Sequence, residues 1–107
     1  MVLEGTARTI YRQIGIYAKI VTGANSFVAT ERGLAFRVNV GPKMKKGRGI
    51  YKIEITRDRG DSYIVKLLRV EMATRANGYR IVLETVKDAR GVYAGELGTI
   101  VMDYAGW

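Results

Sequence analysis

Lys43, Lys45, Lys46 and Arg48 stand close together in a stretch punctuated by Gly41, Gly47 and Gly49. Ammonium and guanidinium groups on a glycine-hinged loop suit the neutralisation of phosphate. They gain affinity by releasing counterions condensed on a nucleic-acid backbone. The charge continues through Lys52, Arg57 and Arg59, so residues 41–59 carry seven cations against Glu54 and Asp58. This stretch holds +5 of the net +8, the first forty residues hold the remaining +3, and residues 60–107 balance to zero. A loop serving only solubility, the competing account, needs no such extension into the next segment. The spacing predicts a flexible arm that lays Lys43, Lys45, Lys46 and Arg48 along phosphates, with Lys52, Arg57 and Arg59 extending it.

Aromatic rings beside such cations can stack unpaired bases. Tyr11, Phe36, Tyr51, Tyr63 and Tyr79 all lie near basic residues. Tyr51 and Tyr63 are the expected stacking pair, because they flank the turn that carries Arg57 and Arg59. Packing in the core with the hydroxyl at the rim is the commoner use of a tyrosine. Arg8, Arg12 and Lys19 extend the positive surface if their segment is helical and that stripe is open.

Other chemistries are poorly supplied. The chain has no His and no Cys, which removes imidazole bases, thiol nucleophiles, disulfides and the usual zinc sites. Its ten acids are scattered. Asp58 and Asp61, with Asp103 if the fold brings it near, are the remaining candidates for a divalent cation, but acids in such positions more often cap turns or pair with Arg57 and Arg59. Gly47-Arg48-Gly49 lacks the spacing of a phosphate-cradling P-loop, and no dinucleotide fingerprint is present. No cofactor, no metal and no catalytic residue is expected.

The elements that must hold these groups follow from periodicity. Leu3, Ala7, Ile10, Ile14, Tyr17 and Val21 recur at steps of three and four, predicting a helix over 4–21 that ends at Gly23. Alternation of Ile14, Ile16, Ala18 and Ile20 is the competing strand pattern. Strands are predicted at 26–30 and 34–40, the second with Arg37 pointing away from the core. A third follows with Tyr51, Ile53 and Ile55 on one face, and then a turn at 57–61. The strand from Ser62 to Glu71, continuously apolar at Tyr63-Ile64-Val65 and at Leu67-Leu68, reads as a central strand covered on both faces. Asn77-Gly78 is a turn dipeptide, Tyr79 to Glu84 a strand, residues 87–91 another turn, and 98–104 the last strand. Arg-Gly before an apolar residue recurs at Arg32, Arg48 and Arg90, which is turn chemistry used three times.

The expected architecture is a single domain over 1–107. It is α+β and β-rich, a twisted antiparallel sheet of about five to seven strands with one N-terminal helix packed on it. At 48% apolar and 26% charged, the composition suits a folded chain. The opening Met1-Val2-Leu3-Glu4-Gly5 lacks the features of a signal peptide, and no apolar run is long enough to span a bilayer. A cytoplasmic protein without a membrane partner is expected, with a composition compatible with a thermophilic source. Exposed sheet edges favour a homo-oligomer. The function expected is non-catalytic binding of nucleic acid, DNA or RNA, through phosphates and stacked single-stranded bases. The alternatives are an assembly protein whose basic face meets an acidic partner, and an enzyme using Lys, Tyr or carboxylates on an anionic substrate.

Overall fold

The structure, a computed structural model, describes residues 3–107; Met1 and Val2, where the signal-peptide expectation begins, lie outside them. Helix α1 (Gly5–Ile14) buries Ala7, Ile10 and Ile14, the predicted stripe. The single helix expected over 4–21 is broken, however, at Gly15. With φ 84° and ψ 156°, Gly15 adopts a backbone that only glycine takes readily, and a second helix, α2 (Ile16–Thr22), begins after it. Lys19 therefore leaves the stripe of Arg8 and Arg12. Its Nζ donates to the Tyr11 carbonyl at 3.1 Å and lies 3.5 Å from the Tyr11 ring centroid. Helix α2 turns its small residues, Ala18 and Thr22, to the core and leaves Ile16, Tyr17 and Ile20 exposed.

Five antiparallel strands follow in sheet order β1-β2-β3-β4-β5: β1 (Asn25–Thr30), β2 (Gly33–Val38), β3 (Ile50–Arg57), β4 (Ser62–Glu71) and β5 (Val82–Tyr93). The sheet is twisted and open, and the chain is α+β and β-rich. Period-two alternation sends Leu34, Phe36, Val38, Tyr51, Ile53, Ile55, Tyr63, Val65 and Leu67 into one core. The helices cover that face. The opposite face is uncovered among the described residues, which corrects the expectation for β4: Tyr63, Val65 and Leu67 are buried, whereas Ile64, Lys66 and Leu68 between them are only half-buried. The two apolar runs on either side of Lys66 arise because Ile64 and Leu68 lie on the open face, where neighbouring strands shield them.

The C-terminal third departs most from expectation. Residues 98–104 are not a strand; α3 (Leu97–Tyr104) is a helix whose Leu97 and Val101 are buried one turn apart, with Ala105 buried just beyond it. The β-branched cluster Thr99-Ile100-Val101 suggests a strand, and tertiary packing overrides that preference. Residues 87–91 are not a turn but part of β5, whose register against β4 is irregular twice, with Gly91 at φ 67°. Asn77-Gly78 does turn the chain, through a short 3-10 segment at Arg75–Asn77, so the following strand starts at Val82 rather than Tyr79.

Candidate functional site

The loop between β2 and β3 is fastened at both ends. On the side nearer β2, the amides of Gly41 and Lys43 donate to the carbonyls of Ala105 and Gly106 at 2.7 and 2.9 Å, and Trp107 Nε1 donates to the Asn39 carbonyl at 2.8 Å. Gly41 lies so close to Gly106 and the Trp107 ring that a side chain there has no room. On the side nearer β3, the Gly47 amide donates to the Tyr51 hydroxyl at 2.8 Å, and Arg69 Nη1 donates to the Arg48 carbonyl at 2.9 Å. Gly49, at φ 96°, packs against the backbone of Val70. The flexible arm expected from the sequence is instead a tied loop. Lys43, Lys45, Lys46 and Arg48 nevertheless all carry exposed positions on it.

Tyr51 and Tyr63 are corrected as stacking residues. They are 5% and 7% exposed, on the helix-covered face. Tyr51 accepts the Gly47 amide, and the Tyr63 hydroxyl donates to Gln13 Oε1 of α1 at 2.7 Å. Neither ring has a face free for a base. Tyr51 is in phase with Ile53 and Ile55, and that shared period is the signal that places it in the core. The aromatic side chains left outside are Tyr17, Tyr79, Tyr93 and, less fully, Trp107.

The predicted cations fall into two groups. Lys52 sits on the open sheet face with Arg37 as its cross-strand partner. Arg37 and Lys46 line a shallow hollow of about 130 Å³ beside β1 and the loop. Arg37, expected to point away from the core, does so, and its place in this group emerges only from the register. Arg57 lies at the other end of β3, five residues and roughly 17 Å of strand beyond Lys52, and Arg59 follows it in the turn. There Arg57 lines a different hollow with Glu31, Arg32 and Asp58. The seven cations of residues 41–59 therefore do not act as one cluster.

Arg69 is the residue that sequence reasoning missed. It makes the ion pairs found among the described residues, to Glu71 at 3.0 Å and Glu84 at 2.8 Å. Its hydrogen bonds to Glu84, then Glu71, raise its pKa above the ordinary value. None of the seven predicted cations is within ion-pairing distance of an acid among the described residues. Also among the described residues, no three acids converge as metal ligands, and no helix is long and apolar enough to cross a membrane. Asp58 and Asp61 belong to the β3–β4 turn, where the Asp58 amide donates to the Ser62 carbonyl. Comparison with protein-family models, curated proteins and solved structures finds no match to this chain.

Proposed function

We propose that the protein binds nucleic acid without catalysis, holding phosphates with Lys43, Lys45, Lys46 and Arg48 and with Arg37 and Lys52 on the adjoining strands. The observation that carries this reading is a loop with a fastened backbone whose four cations are exposed and unpaired with acids among the described residues. A backbone already ordered loses little entropy when a ligand settles on it. Arg37 and Lys52, like charges side by side across two strands, repel each other until an anion lies between them. Arg57 and Arg59 stand apart from this surface and serve the far turn.

The same reading sets the protein in the cytoplasm. It also favours a homo-oligomer, since the outer edges of β1 and β5 are unpaired among the described residues and α2 shows apolar side chains to solvent. A fluorescence-anisotropy titration with labelled single- and double-stranded oligonucleotides at low salt tests the main claim. Replacing Lys43, Lys45, Lys46 and Arg48 together with Ala is expected to weaken binding at least tenfold while the melting temperature holds. Arg57→Ala with Arg59→Ala is expected to leave affinity within about twofold. Absence of binding by the unaltered protein, or equal binding by the loop variant, contradicts the proposal.

A further inference from the structure

The β4–β5 hairpin runs past the rest of the sheet. Ile50 pairs with Val70 at the last position shared by β3 and β4, and beyond it the hairpin has no β3 beside it. This extension lies next to the basic loop, because Gly49 packs on the Val70 backbone and Arg69 holds the Arg48 carbonyl. At its turn, Tyr79 has φ 61°, a left-handed conformation that a bulky side chain rarely adopts, and it is 72% exposed. No burial of the ring compensates that backbone. The turn is nevertheless held firmly: Asn77 Oδ1 accepts the amides of Thr74 and Arg80 at 2.9 and 3.1 Å, Asn77 Nδ2 donates to the Met72 carbonyl at 2.8 Å, and the Tyr79 amide donates to the Thr74 carbonyl at 2.7 Å. Arg80 follows Tyr79 in the chain, Arg75 opens the short 3-10 segment before it, and no acid occurs from Met72 to Leu83.

We propose that Tyr79 is a platform on which an unpaired base stacks, so that the ligand is a single strand whose phosphates run from Arg75 and Arg80 to the basic loop. This rests on the nucleic-acid reading above and adds to it the class of ligand. An exposed aromatic ring on a rigid turn stacks a base with little loss of side-chain freedom, and neighbouring guanidinium groups supply the counter-charge. A duplex keeps its bases stacked on one another and presents none to such a ring.

The test uses the full chain with a fluorescently labelled single-stranded oligonucleotide, a duplex of the same sequence, and a single strand containing 2-aminopurine. Tyr79→Gly removes the ring while suiting the left-handed backbone, so the fold is retained. It is expected to weaken single-strand binding about 5- to 150-fold, the fold-change equivalent of one stacked base, to abolish 2-aminopurine quenching, and to leave duplex binding unchanged. Tyr79→Phe is expected to bind the single strand within about twofold of the unaltered protein. If the unaltered protein binds and Tyr79→Gly binds the single strand equally well, or loses duplex binding to the same degree, the stacking proposal is overturned and the phosphate-binding reading stands. If the unaltered protein binds no oligonucleotide at low salt, both are overturned.

Discussion

Arg69 joins three parts of the molecule through one guanidinium. It donates to the Arg48 carbonyl in the loop, to Glu71 on its own strand and to Glu84 on β5. Exposed ion pairs contribute little on their own, but this group also satisfies a backbone carbonyl and so sets where the loop lies. Arg69→Ala is expected to lower the melting temperature and to speed hydrogen exchange at the Gly47 amide, which the Tyr51 hydroxyl holds. The loop keeps its cations but loses its fixed course, and oligonucleotide affinity should fall even though no phosphate-binding side chain has changed. Unaltered exchange at that amide would show that Tyr51 and the Val70 contact hold the loop unaided. At this scale the sequence was partly legible. The four loop cations were visible as a cluster, and Arg37 as an outward residue on an alternating strand. Tyr51 and Tyr63 look like binding residues when judged by neighbours in sequence, but the strand period assigns them to the buried face. Glu71 is close to Arg69 in the chain, but nothing local marks its other partners, Glu84 and the Arg48 carbonyl, which are 15 and 21 residues away.

Two glycines decide the arrangement of the helices. Gly15 separates α1 from α2, and Gly98 lets α3 approach α1 until a side-chain carbon would stand 2.6 Å from the Ile14 carbonyl oxygen. Gly98→Ala is expected to cost about 1–2 kcal/mol, the strain of overpacking exceeding the gain in helix propensity. Gly95→Ala, where the added carbon meets nothing, should stay within about 0.5 kcal/mol of the unaltered protein; chemical denaturation of both variants checks the difference. The central strands could be read from the sequence because each buries only alternate residues, and that alternation is written into β2 and β3. Helix α3 could not, since Gly98 weakens a helix and the β-branched residues after it favour a strand, and packing against α1 and α2 stabilises the helix. The bulged β5 was hidden for a related reason. Its Lys87–Gly91 segment has turn composition, yet β4 supplies partners that keep it extended.

Across the whole molecule the positive charge is divided rather than massed. One end of the sheet carries the fastened loop, Arg37 and Lys52, together with the projecting hairpin and its two arginines. At the other end the β1–β2 turn, with Glu31 and Arg32, lies beside the β3–β4 turn, with Arg57, Asp58, Arg59 and Asp61. On the proposed nucleic-acid reading a polyanion is drawn to the first end, and the local acids of the second weaken its pull. Linear counting of residues 41–59 could not separate the two, because a strand carries the chain from one end of the sheet to the other. The measurement that bears most directly on the central claim is the dependence of oligonucleotide affinity on salt. If four to six phosphates are held, log affinity falls against log salt with a slope of roughly −3 to −5, and the quadruple alanine variant of the loop loses most of that slope. A slope near zero in the unaltered protein, or one that the loop variant retains in full, would contradict the account.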